Sequence, residues 1–165
     1  MKIVWQITVD APVEDAFAYY LDESRFQDWI CGGGQLEFTP LTAPPKRVGS
    51  RYRMAYRALG VTFRNIAEIT ALEPCRLSTK RQVSGDYKVW LYEMHFAPAG
   101  PGKTHMEMRA EVVMPWGLLG TVASWLGRPL IQRDRQAALE RFKAQVEARV
   151  RQASRETQKI PAKAS

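Results

Sequence analysis

Residues 3, 5, 7 and 9 are Ile3, Trp5, Ile7 and Val9, with polar or exposed-type residues mostly between them. That period of two predicts a strand with one face buried. Pro12 then opens a helical stripe, with Glu14 and Asp15 at the positive helix start and Val13, Phe17 and Tyr20 or Leu21 on one side. A second short helix is predicted from Ser24, with Gln27 as its capping-box partner and Phe26, Trp29 and Ile30 as its apolar residues. Gly32, Gly33 and Gly34 end it. Strand patterns follow over residues 35–41, 50–59, 61–72, 75–83 and 87–96, and a last one carries Met106, Met108, Ala110, Val112 and Met114 on one face. From Trp116 to about Gln152 the period changes to that of a helix, with Ile131, Ala138, Leu139, Phe142, Val146 and Val150 as its inward stripe. Pro129 lies inside that stretch and predicts a kink. Residues 1–153 read as one domain and 154–165 as a loose tail.

The strand faces are unequal in character. Tyr52, Met54 and Tyr56 oppose Arg51, Arg53 and Arg57; Trp90, Tyr92, Met94 and Phe96 oppose Glu93 and His95. Methionine and aromatic residues dominate the apolar side, where a small solid core favours Leu, Ile and Val. A large antiparallel sheet followed by one long helix covers its apolar face by curling around that helix. The expectation is therefore a curved sheet gripping a helix, with a soft-walled cavity between them.

Bulk properties narrow the class. The chain has 165 residues, 45% hydrophobic and 25% charged, which is the balance of an ordinary globular domain. Cys31 and Cys75 give no disulfide framework and are read as free thiols in a reducing, cytoplasmic compartment, with no secretory leader at the start. The formal net charge is +7, but much of the excess sits at Arg149, Arg151, Arg155, Lys159 and Lys163. A solvated helix face accounts for it, and no nucleic-acid partner is expected.

Local motifs add a resemblance. The opening residues 7–17 (ITVDAPVEDAF), the segment Arg25-Phe26-Gln27-Asp28-Trp29, the strand entry Val48-Gly49-Ser50-Arg51-Tyr52 and residues 69–77 (ITALEPCRL) resemble the START-like, or SRPBCC, superfamily. Within it, they resemble the polyketide cyclase/dehydrase and lipid-transport family, over about residues 1–150. The resemblance implies an α+β helix-grip fold: a seven-stranded antiparallel curved sheet around a long C-terminal helix, with two short helices after the first strand. It also implies a cavity, while leaving carriers, cyclases, dehydratases and receptors all open.

Strand parity makes Tyr52, Met54, Tyr56, Phe63, Trp90, Tyr92, Met94, Phe96, Met106, Met108 and Met114 the candidate lining for a hydrophobic, aromatic or lipid-like small molecule. Tyr52, Tyr56 and Arg81 are the candidate catalytic groups for an alternative cyclase/dehydratase reading, with Asn65 and Tyr92 as further inward polar groups. A third reading uses the outer sheet and basic helix as a protein-interaction surface. Trp29, Trp116, Leu119 and Trp125 are assigned to the cavity entrance, and the tryptophans with Arg128 and Arg133 suit contact with a membrane surface. His95 and His105 fall on the charged face. No metal or cofactor is expected, and the chain is read as a monomer or homodimer.

Overall fold

A computed structural model describes residues 1–31, 36–58 and 60–159, leaving aside the side chains of residues 58, 118–121, 123–124 and 157–159. Seven strands and three helices follow in the order β1 (Lys2–Val9), α1 (Val13–Leu21), α2 (Glu23–Ile30), β2 (Leu36–Pro40), β3 (Arg51–Ala58), β4 (Val61–Glu73), β5 (Leu77–Gly85), β6 (Val89–Pro98), β7 (Thr104–Val113) and α3 (Gly117–Lys159). The strands form one antiparallel sheet in the order β1-β7-β6-β5-β4-β3-β2. It is curled into a half-barrel around α3, which is the helix-grip fold.

Alternation sets the two faces. In β7, Thr104, Met106 and Met108 are buried, and the β6–β7 register places Met94 opposite Met108 and Phe96 opposite Met106. On the outer face Arg51 meets Glu68 at 2.7 Å, Arg57 meets Glu37, and Arg109 meets Glu107. Such exposed pairs each contribute about 0–1 kcal/mol, so this ladder keeps the outer face wet more than it holds the sheet together. Hydrogen bonding from Gln6 and Arg109, against a smaller cost of burial, holds Glu107 below the usual carboxylate range.

The tight β5–β6 connection depends on one glycine. Gly85 has φ of 142°, and a Cβ there would stand 2.5 Å from the Asn65 Cα. No other residue fits without displacing backbone.

Helix α3 is clamped by side chains reaching its backbone and by its own cations reaching neighbouring carbonyls. Trp5 Nε1 donates to Gln132 O at 3.1 Å, Arg141 Nε to Trp29 O at 3.0 Å, and Lys143 Nζ to Thr8 O at 2.8 Å. The helix continues through Pro129 and on to Lys159, beyond the expected end near Gln152. Its charged last turns have exposed side chains through 156, so helix propensity and i,i+4 pairs such as Gln152 with Glu156 carry it there.

Helix α2 starts earlier than its sequence pattern suggests. Asp22, not Ser24, is its N-cap, accepting from Ser24 N at 3.1 Å. Gln27 is not a capping partner; its amide donates to the Phe38 carbonyl and ties α2 to β2. The glycine run at 32–34 lies outside the described residues.

Candidate functional site

The inner face of the sheet is filled at one end and hollow at the other. At the filled end α1 and the second half of α3 supply Phe17, Tyr20, Ala138, Leu139, Phe142 and Val146, which pack with Met94, Phe96, Met106 and Met108. Phe17 and Tyr20 meet Phe96 edge-on at 5.2 and 5.4 Å, and Phe142 meets Tyr19 and Trp29 at 5.3 and 5.1 Å. At the other end a cavity of about 110 Å³ opens between the sheet, α2 and the first half of α3. On this measure one water needs about 10–15 Å³, so the space suits a small organic molecule.

Sequence and structure agree on part of this wall. Met54, Tyr56, Phe63, Trp90, Tyr92 and Met114 line the cavity, together with Trp5, Phe26, Ile30, Leu36, Tyr87, Ala110, Val112 and Ile131. Trp90 and Tyr92 stack at 5.7 Å, and Phe63 stacks on Tyr87 at 5.6 Å. Five expected residues do not line it. Tyr52, Met94, Phe96, Met106 and Met108 face inward but are packed in the filled core, each at most 3% exposed. Parity gave them the right face; only the helices decide which length of that face is covered.

Two further expectations are corrected. Trp29 is not at an entrance: it is 1% exposed, in edge contact with Phe26 and Phe142. Arg81 does not face the cavity. The inward positions of β5 are Ser78 and Lys80, and Arg81 is exposed. The face carrying Leu77 and Val83 is the more apolar of the two, yet Val83 is 52% exposed. In β5 the polar face is the inner one.

That inversion brings a charged group to the cavity wall. Lys80 is 3% exposed, and its Nζ lies 4.7 Å from the Phe26 ring centroid, 5.3 Å from Tyr20 and 5.5 Å from Tyr52. Burial lowers its pKa from 10.5 to about 8, with Glu23 acting the other way. Desolvated cation–π contacts of this kind contribute roughly 2 kcal/mol. Lys46 stands beside it: its Nζ donates to Tyr20 O at 2.8 Å and lies 4.7 Å from the same Phe26 centroid. Burial first, then the charge of Lys80, bring Lys46 also to about 8. Glu23, whose charge opposes both shifts, accepts from Tyr52 Oη at 3.0 Å. Burial, with the Glu23 charge behind it, pushes the Tyr52 phenol well above its ordinary range.

Arg135 also lines the wall from α3, its guanidinium 5.3 Å from the Tyr56 ring centroid. Asp134 Oδ2 lies 3.0 Å from Arg135 NH2 without hydrogen-bond alignment. Burial raises Tyr56, Tyr87 and Tyr92, which therefore stay neutral through the physiological range. Tyr92 Oη donates to Met108 Sδ. Asn65 is 5% exposed, and its Nδ2 has no hydrogen-bond partner among the described residues. Lys80, Lys46 and Arg135 were missed from sequence. Arg135 had a visible signal, because it stands four residues after Ile131 on the stripe that continues to Leu139 and Phe142.

Of the residues expected at the entrance, Trp116 is 50% exposed with its ring 5.8 Å from Phe63 of the cavity wall, and Trp125 is 72% exposed. The Leu119 side chain lies outside the described residues. His95 sits away from the cavity, 3.2 Å from Glu93, and no three His, Cys, Asp or Glu side chains among the described residues gather as metal ligands.

The helix grip has known counterparts. The family model for polyketide cyclase/dehydrase and lipid transport matches residues 1–147. The chain belongs to that family. A search of curated proteins returned no match. Among solved structures, a Thermus thermophilus protein superposes with a TM-score of 0.75 at 16% identity, covering 90% of this chain and 98% of its own. The Zhui aromatase/cyclase of Streptomyces sp. R1128 gives 0.75 at 17% identity, over 93% and 97%. A START superfamily protein of Mycobacterium smegmatis gives 0.63 at 15%, over 92% and 98%. At these identities the likeness is one of fold. Family and fold point to a hydrophobic-ligand-binding domain.

Proposed function

We propose that this family member binds a hydrophobic small molecule, aromatic or lipid-like, in the cavity between sheet and helix, to carry, sequester or sense it. The observation that carries this reading is the wall: stacked aromatic rings and flexible thioethers around a space that the helices leave unfilled. Flat rings give contact area, methionines adapt to an irregular shape, and few polar groups orient the guest. The cyclase/dehydratase reading has Tyr56 and Arg135 to polarise a carbonyl, but among the described residues no histidine or carboxylate lines the cavity as a base. It stands second for that reason.

Trp116 and Trp125 form the approach to the mouth, and Val122 and Leu126 are exposed beside them. With Arg128 and Arg133 on the same helix, this face suits collection of an apolar guest at an anionic membrane surface. No helix of the described residues is long and apolar enough to cross a membrane. Both cysteines are free, which suits the reducing cytoplasm, although burial pushes the Cys31 thiol up to about 11 and keeps it a poor nucleophile.

The test is fluorescence titration with a neutral aromatic probe, 2-naphthalenemethanol, against the wild-type chain and Ala110→Trp. Ala110 lines the cavity, so an indole there fills it. Saturable binding that weakens at least tenfold in Ala110→Trp, with near-native circular dichroism, is the expected outcome. Equal binding by both proteins places the probe elsewhere and removes the reading.

A further inference from the structure

At the cavity wall Trp5, Tyr92 and Arg135 have polar partners within the protein, and Lys80, a buried full charge, has none among the described residues. Its ammonium makes no hydrogen bond and no ion pair among the described residues; rings surround it instead. Lys46 adds a second positive charge from the β2–β3 connection but donates its hydrogen bond to the Tyr20 carbonyl. Among the described residues Glu23 on α2 makes no ion pair with either lysine, and one of its oxygens is taken by Tyr52. Tyr20 gives its hydroxyl hydrogen to Ser78 at 3.0 Å and Tyr92 gives its own to Met108, and neither phenol oxygen accepts a hydrogen bond from Lys80. The far cation, Arg135 on α3, has the Asp134 carboxylate at 3.0 Å and the Tyr56 ring beside it.

We propose that the cavity is built for an acid: Lys80 receives the carboxylate of a hydrophobic ligand whose apolar body lies along the Trp90–Tyr92 wall toward the mouth. This rests on the binding reading above and sharpens its ligand class. A buried ammonium lacking an acceptor is costly unless something supplies one, and an apolar guest without a charge leaves it unpaired. Lys46 and Lys80 against the one carboxylate of Glu23 leave one net positive charge here, which suits a monoanion. A dianionic phosphate would keep one charge uncompensated in an apolar enclosure. A second donor points the same way, because Asn65 Nδ2 also lacks an acceptor. Asn65 is four residues along β4 from Ile69, the strand partner of Lys80, so it lies about 13 Å further toward the mouth. There it can meet a second oxygen on the ligand body.

The test compares 2-naphthoate with the neutral 2-naphthalenemethanol by isothermal titration on wild type, Lys80→Met and Lys80→Gln. In wild type at pH 6.5 the acid should bind about tenfold or more tightly than the alcohol. That preference should disappear in both variants, while the alcohol keeps its affinity within about threefold. It should also fade in wild type above about pH 8, where the amine loses its proton; Glu23, Lys46, Tyr20, Tyr52 and Tyr92 all remain in the variants, so a surviving pH effect belongs to them. Alcohol binding without preference for the acid, or preference retained in the variants, overturns the anchor and leaves the cavity reading intact. Binding of neither probe to wild type overturns both.

Discussion

The two ends of the inner face share their strands, parity and residue types, yet one is solid and the other hollow. Met94 and Met108 at the filled end differ little from Met54 and Met114 at the open one. Their fates differ because of what the helices bring. Phe17 and Tyr20 from α1, with Leu139, Phe142 and Val146 from α3, plug one end. At the other end α3 offers Ile131 and Arg135, and Trp125 two turns earlier points to solvent. A hollow in this fold is therefore a property of the helix sequence, and the sheet merely permits it.

The strongest way to break that contrast is to truncate one ring at each end. Phe142 is fully buried among aromatic neighbours, so Phe142→Ala should cost about 3–5 kcal/mol in denaturant unfolding. Trp90, a half-buried ring facing the cavity, already lacks partners on one side, and Trp90→Ala should cost less than half as much. Equal costs would mean that the open end collapses in solution and that the hollow has no energetic reality.

Much of this was legible beforehand. Alternation in residues 51–57, 90–96 and 106–112 identified the inward face, and the Ile131-to-Val150 stripe identified the grip of the helix. The division of that face into core and cavity was illegible, since it depends on how far Phe17 and Phe142 reach across space. Lys80 was hidden for a different reason. A hydrophobicity rule turns Val83 inward and Lys80 outward, and the fold does the opposite. Such local violations concentrate where a protein trades stability for a site.

Lys80 sharpens the comparison with a smaller effect of opposite sign. Its folded-state pKa is about 8 against an ordinary 10.5, as is that of Lys46. Between these values the unfolded chain binds more protons, so ligand-free stability should rise as pH climbs from about 8 to 10.5. Below pH 8 the cost is complete, on the order of 3 kcal/mol for Lys80. Lys80→Met should therefore stabilise the ligand-free protein at pH 7 by about 1–3 kcal/mol and flatten the alkaline rise in Tm. Destabilisation by this change would show that the ammonium already has an internal partner and is part of the solid end.

The smallest expected effect on the fold lies at the proposed mouth. Trp125, at 72% exposed, has almost no packing to lose, so Trp125→Ala should shift stability by no more than about 0.5 kcal/mol. Its removal should nevertheless lower co-sedimentation with vesicles containing phosphatidylserine, and pairing it with Trp116→Ala should lower it further. That outcome would support the proposal that the tryptophan surface receives the ligand at an apolar phase. Were Trp125→Ala instead to destabilise the protein by several kcal/mol with vesicle binding unchanged, the ring would be packed in solution. The open end would then be closed by its own helix.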